Sequence, residues 1–248
     1  MNAAGDRKVL SIAGLDPSGS AGLLRDVQTI RELGAEPFGF CSALTVQSQT
    51  ESRKLVWVDS ALILEQLDCL ESAHTIDAVK IGLAESPEVV LQIRERLPNA
   101  AIVLDPVLSA STGLEFHSRP DRWQAVLGKV DLLTPNADEA MAIFPSASAE
   151  EAAVAMAARS GGKYVLLKGG HRLDRPGVDT LYDASGVIDF PPAEQLDSGI
   201  RGTGCTFSSA IAVHLAQGFG MEDAVECSKR YLSQYITSRS RTQTTAHV

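Results

Sequence analysis

No apolar run in this 248-residue sequence approaches the roughly 20 residues that a membrane-spanning helix needs, so no such helix is expected. The opening stretch, Met1 to Lys8, is polar and lacks the apolar core of a secretory leader, which makes the cytoplasm the expected location. Basic residues are in deficit. Against 31 Asp and Glu there are 22 Lys and Arg, and the net charge of -9 repels a phosphate backbone, so nucleic acid is excluded as an expected partner. Cysteine is scarce: Cys41, Cys69, Cys205 and Cys227 form no CxxC pair, and no disulfide framework is expected. Cys41, Cys69 and Cys227 lie in apolar-rich segments and read as small buried hydrophobes. The five histidines are scattered, without zinc-ligand spacing, and no Walker loop is present. Nothing resembling a linker, an internal repeat or a low-complexity tract divides the chain. Residues 1–248 therefore read as a single domain, with 239–248 as a polar, disordered tail.

What is present is an alternation of strand-like and helical patterns from end to end. Strands are predicted at 9–13, 39–45, 78–81, 101–104, 132–134 and 164–168, several of them almost wholly apolar, as a strand covered on both faces must be. Between them, apolar residues at helical spacing predict helices. The clearest are 22–33, where Leu23, Val27 and Ile30 recur, and the segment opened by Ser86-Pro87-Glu88, with a cap, a first-position proline and a first-turn acid. Asn136 is placed as the cap of a short helix. Residues 179–190 read as a hairpin, and two long helices close the chain. This order implies an α/β fold with a mainly parallel central sheet and helices on both faces.

In such sheets ligands bind beyond the carboxyl ends of the strands, and the unusual segments fall there. Gly202-Thr203-Gly204-Cys205 opens a long helix. Its glycines bring amides close to a ligand, and the helix start adds unpaired N–H groups, so the segment suits phosphate, although Gly-x-Gly alone is equally an ordinary turn. Cys205 falls in the first helical turn, where the dipole is expected to lower its pKa and favour a part in polarising a substrate hydroxyl. Asp105 and Glu139 are candidate Mg²⁺ ligands; alternatively they cap a turn and complement a helix dipole. Lys168, at a strand end before two glycines, can set its ammonium against ATP phosphates.

Taken in order, seven segments resemble the hydroxymethylpyrimidine/phosphomethylpyrimidine kinase family of thiamin biosynthesis, within the ribokinase superfamily. They are 11–22 (Ser11 to Gly22), Ala43-Leu44-Thr45-Val46-Gln47, Val79-Lys80-Ile81-Gly82, Val103-Leu104-Asp105-Pro106-Val107, 134–140, 166–171 and 202–206. The resemblance implies a ribokinase-like fold, ATP and Mg²⁺ as cofactors, a small heterocyclic substrate and a homodimer. It implies that Gly14, Asp26, Gln47 and Val107 bind the substrate, that Asp105 and Glu139 handle Mg²⁺, and that Lys168, Thr203 and Asn136 contact ATP. Gly202, Gly204 and Cys205, with Lys168, would carry out the transfer. Four positions depart from the family pattern: Ser20, Arg25, Ser111 and Arg201 stand where glycine, alanine, lysine and histidine are usual. Ser20 and Arg25 are expected to border the substrate pocket, Arg25 either favouring a phosphorylated substrate or facing solvent. Two other readings remain open at this level: a pyridoxal or pyridoxine kinase, and a non-catalytic vitamin-binding sensor.

Overall fold

The computed structural model describes residues 7–48, 50–110, 112–171, 175–192 and 200–245; Ser111 therefore lies outside the described residues. Strands β1 (Lys8–Leu15), β2 (Glu36–Gln47), β3 (Ser52–Trp57), β4 (Ala78–Ile81), β5 (Ala101–Leu104), β6 (Leu132–Leu133), β7 (Tyr164–Leu167), β8 (Asp179–Tyr182) and β9 (Val187–Phe190) form one sheet in the order β3-β2-β1-β4-β5-β6-β7-β8-β9. The six central strands run parallel, while β3, β8 and β9 are antiparallel additions at the edges.

The apolar strands owe their composition to cover on both faces. Leu10, Ile12, Val79, Ile81, Ile102, Leu104, Leu133, Val165 and Leu167 point into one core. Val9, Ala78, Val103, Leu132 and Leu166 alternate with them into the other. The first core is closed by α2 (Ser60–Glu71), α3 (Pro87–Arg96), a 3-10 helix (Pro120–Val126), α4 (Ala137–Ile143) and α5 (Ala149–Arg159), through residues such as Leu67, Ile93, Trp123, Ile143 and Met156. The second is closed by α1 (Gly22–Glu32), α6 (Thr203–Ala216) and α7 (Met221–Thr245), through Ile30, Phe207, Ile211, Val225 and Ile236.

Strand order reverses between β1 and β4, which creates a crevice at their carboxyl ends. The start of α6 stands above this crevice, because Gly202, just before it, packs against the loop that follows β1.

Three expectations change. The disordered tail expected over 239–248 is not seen: α7 continues as helix to Thr245, with Thr237 and Ser240 donating hydroxyls to carbonyls four residues back, and 246–248 lie outside the described residues. An antiparallel edge strand, β3, appears where no strand is predicted. Among the cysteines read as buried, Cys69 is exposed, and Cys41 and Cys227 are half-buried.

Candidate active site

The loop after β1 is folded by its own aspartate. Asp16 accepts the N–H groups of Ser18 at 2.9 Å and Ala21 at 3.2 Å, and its carbonyl accepts that of Gly19 at 3.0 Å. This holds the backbone against the start of α6. Gly202 adopts φ +78°, and a Cβ there would lie 1.9 Å from the Ser20 carbonyl, so only glycine fits. Among the described residues no side chain caps α6 and its first turn carries no acid, so its leading amides are left for a ligand with their positive dipole end.

Gly204 then faces two charged groups. A Cβ on it would sit 3.6 Å from Lys168 Nζ and 3.7 Å from Asp105 Oδ2. Lys168 Nζ donates to Asp105 Oδ1 at 2.5 Å and lies 3.6 Å from Glu139 Oε2. Asp105 also accepts from Ser208 of α6 at 3.3 Å and from Thr134 at 3.4 Å. Glu139 is held by a reciprocal cap: Asn136 N–H donates to its carboxylate at 2.8 Å, and its own N–H donates to Asn136 Oδ1 at 2.9 Å. The cap expected of Asn136 is thus present, and it engages the side-chain oxygen of a residue also assigned to ATP.

The electrostatics follow from crowding in a largely buried space. Burial works against the charge of Asp105, but Lys168 and Lys80 outweigh it and hold the carboxyl below its usual range. Lys168 is likewise kept charged: burial opposes this, and Asp105 and Glu139 prevail. Glu139 goes the other way. Burial, with the nearby Asp105 charge, pushes it up to about 7 despite Lys168. Two carboxylates sharing one lysine leave a surplus of negative charge, which is the setting an oxygen-seeking divalent cation neutralises. Asp105 and Glu139 therefore suit Mg²⁺, with further oxygens from water and phosphate.

Cys205 corrects an expectation. Burial pushes its thiol up, with Asp26 and Asp105 adding to the effect and Lys80 opposing it, so it is a thiol rather than a thiolate at neutral pH. Desolvation outweighs the helix start.

Asp26, expected to bind the substrate, is set deep below the loop after β1. It is fully buried, and both carboxylate oxygens are occupied: Oδ2 by Lys80 Nζ at 2.7 Å and Ser11 Oγ at 2.7 Å, Oδ1 by Ser209 Oγ at 2.9 Å. It ties α1, β1, β4 and α6 together beneath the crevice. Lys80, its partner, carries no role in the sequence analysis. The signal was available: a lysine among Ala78, Val79 and Ile81, all wholly buried, requires a buried carboxylate.

The remaining candidates lie around the rim. Gly14 marks an irregularity in the pairing of β1 with β2, Val107 is half-buried in the loop after β5, and Thr203 is the first residue of α6. Gln47 ends β2, with Ser52 Oγ donating to its side-chain oxygen at 3.2 Å. Arg201 donates to the Ser48 carbonyl at 2.6 Å and so fastens the β2–β3 hairpin to the loop before α6. Arg25 does not border this space. It points from α1 toward α7, among Gln28, Tyr231 and Tyr235.

A parallel sheet with an uncapped glycine-flanked helix start, a lysine and two carboxylates converging at its carboxyl edge defines a ribokinase-like phosphotransferase. The family model described as phosphomethylpyrimidine kinase matches residues 16–247, and the chain belongs to that family. It is therefore a kinase. A hydroxymethylpyrimidine/phosphomethylpyrimidine kinase of Rhizobium meliloti is 32% identical, over 94% of this chain and 91% of its own. A thiamine biosynthesis bifunctional protein of Geobacter sulfurreducens is 34% identical over 92% of this chain, which spans only about half, 49%, of that longer protein. Among solved structures, phosphomethylpyrimidine kinase of Clostridium difficile superposes with a TM-score of 0.76 at 27% identity, covering 93% of this chain and 100% of the other. Pyridoxal kinase of Staphylococcus aureus, solved with pyridoxal, gives 0.77 at 27% identity, covering 94% and 88%.

Proposed function

We propose that this kinase transfers the terminal phosphoryl group of ATP to 4-amino-5-hydroxymethyl-2-methylpyrimidine, to its monophosphate, or to both in turn, in thiamin biosynthesis. The observation that carries the reading is the uncapped start of α6 directly above Asp105 and Lys168. Phosphoryl transfer needs positioning and charge neutralisation more than a strong base, and this arrangement supplies both. The amides from Gly202 to Cys205 receive the moving phosphoryl oxygens. Lys168, held charged, contacts the polyphosphate, with Thr203 and Asn136 nearby. Asp105 and Glu139 hold Mg²⁺, which when bound screens the charge on the phosphate chain. Cys205 meets the substrate hydroxyl as a neutral thiol, a polar contact that does not abstract a proton in the resting protein.

Gly14, Gln47 and Val107 form the substrate wall, while Asp26 supports that wall from beneath. The pyrimidine is favoured over pyridoxal by the curated relatives, although the pyridoxal kinase superposes equally well. The transfer residues, all present, favour catalysis over a sensor role. Leu44, Val46 and Val56, about half exposed on the β2–β3 hairpin, support a homodimer formed across that face. One continuous sheet supports a single kinase domain. No helix among the described residues is long and apolar enough to cross a membrane.

The test is product analysis by mass spectrometry after incubation with ATP, Mg²⁺ and each heterocycle. Phosphorylated pyrimidine is the expected product, with little or no pyridoxal phosphate; the reverse ratio overturns the substrate. Gly204→Leu should keep the fold, read by circular dichroism, and lower turnover by about 100-fold or more, because the added side chain grows into the Asp105–Lys168 space. Unchanged turnover in that variant overturns the site.

A further inference from the structure

A groove of about 460 Å³ lies between α1 and α7, and none of the residues assigned to phosphoryl transfer lines it. Its inner wall holds Arg25, which is only 2% exposed. Arg25 Nε is buried with no hydrogen-bond partner, and the guanidinium rests 4.9 Å from the centroid of the Tyr235 ring. Arg239, exposed on α7, brings a second guanidinium to 5.5 Å from the same ring. Among the described residues neither arginine has a carboxylate partner. Among the described residues lining the groove the one acid, Glu32, is already engaged: Tyr231 donates its hydroxyl to it at 2.5 Å and Gln28 its side-chain amide at 2.7 Å.

This is an unusual arrangement in a protein of net charge -9. A guanidinium taken out of water ordinarily recovers its lost hydration through hydrogen bonds to an acid or a carbonyl. Contact with a ring face replaces only part of that and satisfies no N–H. Two cations from different helices beside one ring carry positive charge that an anion between them would offset. A doubly charged oxyanion matches two guanidinium forks better than a singly charged carboxylate does.

We propose that the groove binds a small phosphorylated ligand, its phosphoryl group bridging Arg25 of α1 and Arg239 of α7. The site is separate from the transfer site: Asp26, the neighbour of Arg25, points to a different side of α1, into the crevice network.

Isothermal titration of the full chain with inorganic phosphate tests this, with acetate at equal ionic strength as the comparison. Wild type should bind phosphate saturably, and Arg25→Ala and Arg239→Ala should each weaken it by about ten-fold or more. Arg239 is exposed, so its replacement leaves the fold intact and keeps the test decisive even where Arg25→Ala does not fold. Gly204→Leu should leave this binding unchanged. Absence of saturable phosphate binding, full affinity in Arg239→Ala, or loss of binding in Gly204→Leu alone overturns the proposal. Acetate binding as tightly as phosphate overturns the phosphoryl assignment. Turnover without added phosphate should be the same in Arg239→Ala as in wild type, so failure here is separable from failure of the kinase reading.

Discussion

Two lysine–aspartate pairs lie under the same helix, and they do different things. Lys80 and Asp26 are wholly buried, 2.7 Å apart, with Ser11 and Ser209 completing the coordination of the carboxylate. Lys168 and Asp105 are as close, at 2.5 Å, but the lysine side chain keeps 14% of its exposure and a second acid, Glu139, competes for it. The first pair is closed, with every strong partner already present. The second is open and oversupplied with negative charge. Burial of a charge pair therefore does not mark function; an incomplete charge balance at a ligand-facing edge does.

The largest contrast should come from removing each lysine in turn. Lys80→Met leaves Asp26 charged and enclosed and should destabilise the protein by about 3–5 kcal/mol in urea unfolding. Adding Asp26→Leu should restore much of that loss, since an apolar pair of similar volume tolerates the site. A double variant no better than the single would show that the network is needed for more than charge balance.

Lys168→Met should show the opposite profile. Its stability cost should be about 1–2 kcal/mol, because water and a proton on Glu139 can stand in for the ammonium. Its kcat/KM should fall by about 100-fold or more through lost stabilisation of the phosphates. Equal stability losses for the two lysines would erase the distinction between closed and open pairs.

The smallest effect is a slope with pH in the metal-free chain. Glu139 titrates at about 7 in the fold, above its ordinary value of 4.5. The folded state thus favours the protonated acid. This contribution is complete below the ordinary value and is lost as pH rises through 7. Denaturation midpoints from about pH 5 to about pH 8 should fall more steeply in wild type than in Glu139→Gln. Identical slopes would place the surplus charge elsewhere.

Much of this was legible beforehand, and the misses have physical causes. The buried strands were readable because cover on both faces forces unbroken apolar runs such as Ala101-Ile102-Val103-Leu104. β3 was not, because an edge strand with Arg53 and Lys54 exposed carries no such run. Asp105, Glu139, Lys168 and the Gly202–Gly204 turn were singled out by their place at strand and helix ends. The direction taken by Asp26 and Arg25 was not, since neighbours on one helix point to different sides and only the packing of α1 says what lies there.

The chain alone determined the order of elements, the two apolar faces of the sheet and which segments gather at its carboxyl edge, because these follow from local periodicity and strand direction. Only the tertiary structure decided which carboxylate is sealed and which is open, that Cys205 keeps its proton, and that two arginines approach the ring of Tyr235. Those outcomes depend on distances between residues remote in sequence, and on how much water each group loses when the layers close.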